Sequence, residues 1–121
     1  MVAPFVIETD ETGVISVVAS GFWSADDLEG HFVDLKTAVE AARARFGVVR
    51  VLVDLRASRV QSQEVFDRLR EATSATYGER DRIAIVAEST LLTMQMRRLD
   101  AKAGRAAFAD VRTARDWLLS A

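Results

Sequence analysis

Hydrophobic and polar positions change period several times along the chain, and each change marks an element. Residues 5–7 and 14–18 are rich in β-branched and aromatic side chains, which predicts two strands. The polar stretch between them ends in Gly13, a residue free to take positive φ, so the pair reads as a hairpin closed by a short loop. Gly21 is expected to end the second strand. From Leu28 the period becomes helical. Leu28, Phe32, Leu35, Val39, Ala42 and Phe46 follow steps of 4, 3, 4, 3 and 4, which places all six on one stripe. Ser24 is positioned to cap this helix, Asp26 and Asp27 suit its positive end, and Gly47 suits a left-handed stop.

Residues 48–55 form a nearly unbroken apolar run, as expected of a central strand buried on both faces. A polar loop over 57–62 follows. A second helix is predicted from Ser62 or Gln63, with Val65, Phe66, Leu69, Thr73 and Thr76 or Tyr77 inward and Gly78 at its end. Residues 82–87 repeat the buried-strand pattern. A third helix over 91–103 would turn Leu92, Met96, Leu99 and Ala103 inward, with Leu91 and Met94 at its flanks and Gly104 as its stop. Residues 106–109 predict an edge strand. Asp110 caps a last helix over 111–119, docked through Val111, Ala114, Trp117 and Leu118. The order is ββαβαβαβα. Strands alternating with helices imply a mostly parallel sheet, here mixed because of the hairpin. The fold class is therefore α/β, with about five strands and four helices in one domain over residues 1–121.

Composition narrows the chemistry. The chain of 121 residues has no Cys and one His, so disulfides, thiolate metal sites, multi-histidine metal sites and cysteine nucleophiles are excluded. No catalytic, metal or cofactor site is predicted, and the expectation is a non-enzymatic protein. The only Pro is Pro4, no segment is of low complexity, and no Gly-rich phosphate loop occurs. The N-terminus lacks the pattern of a secretory signal, and no run approaches the roughly 18 apolar residues of a membrane span. A cytoplasmic protein is expected. A net charge of −2 offers no global field for nucleic acid. That average conceals a division. Residues 1–40 carry eight acids and one base; residues 41–121 carry ten acids and fifteen bases. Arg outnumbers Lys 14 to 2. The excess reads either as a codon habit or as an Arg-lined surface that grips oxyanions through the guanidinium fork.

Together, four stretches resemble the STAS family (sulphate transporter and anti-sigma-factor antagonist domains), in its stand-alone, bacterial, SpoIIAA-like branch. Residues 21–28 (Gly-Phe-Trp-Ser-Ala-Asp-Asp-Leu) are similar to the family's strand-end glycine, aromatic and helix cap. Residues 51–55, ending in Asp54 and Leu55, look like its central strand, and residues 82–86 like the next one. Residues 108–118 are similar to its closing aromatic strand and Trp-Leu helix. The resemblance implies that fold and a regulatory role exercised through protein contacts. The family's phosphorylatable position falls near Ser62. Here the surroundings are Gln61, Gln63 and Glu64, without the family's preceding Asp and following Gly, so no phospho-switch is carried over to Ser62.

Several residues are candidates for binding. Asp54 and Arg56 end the central strand, where open α/β sheets bind ligands. Arg56, Ser58, Arg59 and the helix N-terminus at Ser62 could form an anion or partner site; the other reading is a solvated loop with Asp54 bonded to local backbone. Met94 and Met96 lie beside Arg97 and Arg98. They are either core and rim, or, with Leu91 and Trp23, the lining of a pocket for an amphipathic or lipid-like anion. Trp23 is either a staple against Leu28 or an exposed anchor on a dimer face. The sheet edge beside the hairpin leaves homodimerisation open. His31 is expected to be a partly exposed helix residue beside the apolar stripe.

Overall fold

A computed structural model describes residues 4–99 and 103–120. Five strands form one sheet in the order β1-β2-β3-β4-β5. They are β1 (Phe5–Thr9), β2 (Val14–Gly21), β3 (Arg50–Ser58), β4 (Arg82–Val86) and β5 (Gly104–Phe108). β1 pairs antiparallel with β2, and every other pair is parallel. The helices are α1 (Ala25–Phe46), α2 (Gln63–Thr76), α3 (Thr90–Arg97) and α4 (Val111–Leu119). The ββαβαβαβα order read from the sequence is the order observed.

The hairpin turns where Asp10 accepts backbone N–H groups from Thr12 and Val14 at 2.9 and 3.1 Å. Gly13 is required there twice over. Its φ is +87°, and a Cβ would meet the Phe46 ring at 2.8 Å. Ser24 and Asp27 close a reciprocal capping box at the start of α1, and Gly47 ends the helix with φ +78°.

The sheet is covered unequally. α1, α2 and α3 pack on one face, burying Leu28, Leu35, Phe66 and Leu92 against Ile15, Val17, Val51 and Ile83. α4 alone covers the other, setting Ala114 and Leu118 on Val14, Leu52, Ala84 and Val86. Arg82 fastens the end of α4: its guanidinium donates to the Trp117 carbonyl at 3.0 Å and lies 5.1 Å from the Trp117 ring centre.

Several boundaries differ from the sequence reading. β3 continues to Ser58 because β2, after an irregularity between Val18 and Ser20, keeps pairing through Ser20–Ala57 and Gly21–Ser58. α2 ends at an extended Tyr77, and Gly78 takes no positive φ. α3 stops at Arg97, where the Arg98 N–H is shared between the Gln95 and Met96 carbonyls in a tightened last turn. Leu99 and Ala103 are nonetheless buried, as expected, although they lie outside the helix; residues 100–102 of the predicted helix are outside the described residues. Gly104 begins β5, so that strand starts two residues earlier than predicted.

Candidate functional site

At the carboxyl ends of β2 and β3, a pair of buried amides ties the two loops that follow to α3. Gln61 lies in the loop between β3 and α2. Its side-chain oxygen accepts the Trp23 N–H at 2.8 Å, and its amide nitrogen donates to the Gly21 carbonyl at 3.0 Å. Gln95 of α3 completes the latch. It accepts the Gln61 N–H and donates to the Gln61 carbonyl, both at 2.9 Å. One residue thus holds the β2–α1 loop, the β3–α2 loop and α3 in a fixed relation.

On this scaffold Phe22 projects into solvent, 69% exposed between buried Trp23 and half-buried Gly21. The Arg59 guanidinium lies 5.8 Å from the Phe22 ring centre. Together with Val60, Arg56, Ala57 and the α3 cap Ser89 they line a shallow groove. The apolar and cationic surface is real, but its centre is Phe22 and Arg59. Sequence reasoning passed over Phe22 in favour of the neighbouring Trp23. The available signal was the alternation of the strand, inward at Val17 and Ala19 and outward at Val18 and Ser20, which carries through Gly21 to put Phe22 outward and Trp23 inward.

The predicted site residues divide. Asp54 and Arg56 do come together, but with each other. Asp54 accepts from Arg56 Nε at 3.0 Å, from a terminal nitrogen at 2.8 Å and from the Arg56 N–H at 3.1 Å. The Arg56 guanidinium accordingly holds the Asp54 carboxyl below the usual carboxylate range. Glu88 and Asp110 add further negative charge near Arg56. Two of its side-chain nitrogens are engaged by Asp54, and the half-exposed Arg56 stands at the groove as an ion pair. Ser58 has a buried hydroxyl with no partner among the described residues. Ser62 caps α2 by accepting the Val65 N–H at 3.3 Å, so one outward N–H of that helix end is already satisfied.

The pocket reading of α3 is corrected. Leu91 and Met94 face solvent, at 68% and 56% exposure. Arg98 lies over the Phe66 ring at 5.4 Å, and the Arg97 carbonyl accepts from Arg105 at 3.2 Å. Met96 alone of this group reaches the interior space that Trp23 also lines. Trp23 is 5% exposed, which removes the dimer-anchor reading; it shares the buried cluster with Leu28, as a staple requires. His31 is buried, not partly exposed. Its ring stacks on Phe5 with centroids 4.1 Å apart, and burial drives its pKa down to about 4 against an opposing pull from Asp34.

The arginines mostly bind the chain to itself. Arg43, Arg56 and Arg115 pair with Asp81, Asp54 and Asp10. Arg45, Arg59, Arg82 and Arg98 lie over aromatic rings. Among the described residues, no group of three His, Asp or Glu side chains is placed to hold a metal ion, and no helix is long and apolar enough to cross a membrane.

No protein-family model and no curated protein matches the sequence. Solved structures do match the fold. An uncharacterized protein of the DUF3478 family from Shewanella loihica PV-4, described as having a SpoIIAA-like fold, superposes with a TM-score of 0.63 at 20% identity, covering 94% of this chain and 91% of that one. The unphosphorylated anti-sigma factor antagonist SpoIIAA gives 0.62 at 13% identity, covering 94% and 96%. An anti-sigma factor antagonist from Mycobacterium paratuberculosis gives 0.58 at 17% identity, covering 96% and 93%. Over nearly its whole length, the chain has a SpoIIAA-like fold.

Proposed function

We propose that this protein is a non-enzymatic regulatory domain that docks a protein partner on the carboxyl end of its sheet. The observation that carries the reading is Phe22, a large aromatic side chain presented to solvent on a loop that Gln61 pins at two points. An aromatic held rigidly loses little freedom on binding and anchors interfaces efficiently. Arg59 beside it favours a partner that presents an apolar residue next to a carboxylate. Two of the similarly folded proteins are described as anti-sigma factor antagonists, a role directed at another protein. The lone His31 supports a non-enzymatic reading, since its packing partners are the rings of Phe5 and Phe32. A cytoplasmic setting belongs to the same reading.

The test is a photo-crosslinking phenylalanine analogue placed at position 22 and, as a control, at exposed Val33 on α1. A discrete protein adduct from position 22 and none from position 33 is expected, with Phe22→Ala and Arg59→Ala each reducing co-purification of the same protein. No adduct at 22, or the same adducts at both positions, would overturn the assignment.

A further inference from the structure

β1 is an edge of the sheet. β2 pairs with one side of it, and no strand lies on the other among the described residues. The pairing decides which backbone groups are left over. The Ser20 N–H donates to the Pro4 carbonyl at 2.9 Å and the Asp10 N–H to the Val14 carbonyl at 3.1 Å, so the even-numbered residues bond β2. In an antiparallel pair the residues between them turn their N–H and C=O the other way. Phe5, Ile7 and Thr9 therefore direct their backbone donors and acceptors outward, as a template for another strand.

The same three residues line one wall of an open groove, and α1 supplies the other. Asp27, Gly30, Asp34, Ala38 and Ala41 follow one another at steps of three and four along that wall, a stripe roughly 21 Å long at about 1.5 Å per residue. It is as long as β1, whose five residues extend about 17 Å. The charged side chains of the groove, Asp26, Asp27 and Asp34, are all acidic, and none forms an ion pair among the described residues. Lys36, the single base of residues 1–40, lies on the other flank of α1, in a groove shared with α2.

Gly30 is an independent observation. It lies inside α1, where glycine weakens a helix. A Cβ built there would meet no atom within 4 Å, so nothing within the described structure requires its absence. An occupant of the groove that approaches the helix backbone closely does require it.

We infer that this edge receives an extended basic segment of another protein as a sixth strand, with Lys or Arg at alternate positions and β-branched residues between them. A strand beside β1 lies about 4.8 Å out, and its side chains alternate between two surfaces. Those beside Phe5, Ile7 and Thr9 fall over the groove, where long cationic side chains cross the helix at Gly30 and reach Asp26 and Asp34. Those beside Val6 fall on the opposite face of the sheet, where Val6 and its cross-strand neighbour Val18 are 50% and 45% exposed. The same charge selects against a second copy of the chain, whose own β1 and α1 are equally acidic. The surface shares no lining residue with the Phe22 groove.

The nitrogen-15-labelled full chain is titrated with the end-blocked peptide Lys-Val-Lys-Val-Lys-Val-Lys, and amide hydrogen exchange is followed residue by residue. At saturation, protection is expected to rise about tenfold at Phe5, Ile7 and Thr9, by much less at Val6 and Glu8, and not along β5. The block peptide Lys-Lys-Lys-Lys-Val-Val-Val, of the same charge, is expected to bind about fivefold more weakly. So is the alternating peptide to an Asp26→Asn, Asp34→Asn double variant. Gly30→Leu is expected to raise Tm by about 3 °C and yet to weaken peptide binding about tenfold. Protection that does not alternate along β1, equal binding of the two peptides, or undiminished binding by Gly30→Leu would overturn the proposal. A dimer of the free chain in sedimentation that Gly30→Leu dissolves would also overturn it, by giving the edge to a second copy.

Discussion

Replacing Gln95 by Leu isolates the latch that holds the β2–α1 and β3–α2 loops to α3. Gln95 is buried on the inward side of α3, and its amide makes two 2.9 Å hydrogen bonds to the backbone of Gln61. Leucine is of similar volume and keeps the helix, so the cavity contribution is small. What changes is that the Gln61 N–H and carbonyl lose their partner inside the protein. A buried polar group left unpaired costs about 1–3 kcal/mol, and two together about 2–6 kcal/mol. For a domain of this length each kcal/mol moves Tm by about 4 °C, so Gln95→Leu is expected to lower Tm by about 8–24 °C. Thermal and urea unfolding followed by circular dichroism give the number. Gln63→Leu is the control, since Gln63 is exposed and bonds only Asp67; its effect should stay within about 0.5 kcal/mol. A fall of less than about 2 °C for Gln95→Leu would refute the reasoning, because it would mean that the Gln61 backbone finds other partners at no cost. Gln95→Glu adds a second reading of the same bonds. Its carboxylate can accept from Gln61 N–H but cannot donate to the carbonyl, so stability should recover on acidification as the buried carboxyl gains a proton.

Two further predictions concern charge. His31 is buried and its pKa is lowered to about 4, so below about 6.5 the unfolded chain holds a proton that the folded one does not. Stability should therefore be fully present above pH 6.5 and fall by about 3 kcal/mol as the pH drops toward 4. His31→Phe should flatten urea-derived stability over this window, and equal slopes for the two proteins would exclude His31 as the cause. At Asp81 the carboxylate is wholly buried while its partner Arg43 remains 43% exposed across a two-point contact at 3.0 Å. Arg43→Met strands the buried charge and should cost about 3 kcal/mol. Asp81→Asn leaves an arginine that can turn to water and should cost only about 1–2 kcal/mol; denaturant midpoints in the reverse order would contradict this account.

The elements that depend on a long repeated period were legible from residue types alone. The stripe from Leu28 to Phe46, the Ser24 and Asp110 caps and the two buried central strands all come from local patterns that tertiary packing reinforces. α3 was read too long because Leu99 and Ala103 continue its spacing, although the chain that carries them has left the helix. His31 was legible but misread: steps of three from Leu28 and four to Leu35 place it on the buried stripe. The latch was hidden for another reason. Gln61 sits in a stretch that composition marks as polar loop, and the partners that make it a latch lie 34 to 40 residues away. The one clue was Gln95, a polar residue beside Met96 on the inward arc of α3, where burial demands a partner. The ion pair of Arg56 was not legible, because a sequence shows that a cation is present but not that a carboxylate two residues earlier engages it.

The strand order has a consequence for how the molecule is made. Each strand lies beside the one that precedes it in the chain, so no strand has to be inserted between two that have already paired. The sheet can grow from the N-terminal hairpin outward as the polypeptide emerges, one crossover at a time. That route leaves one face bare for nearly its whole length. Val14, Leu52, Ala84 and Val86 stay uncovered until the nine residues of α4 arrive. A nascent or truncated chain lacking that helix would expose an apolar sheet surface of the kind that recruits chaperones or aggregates. α4 is thus the step at which a nearly complete sheet becomes a particle closed on both sides.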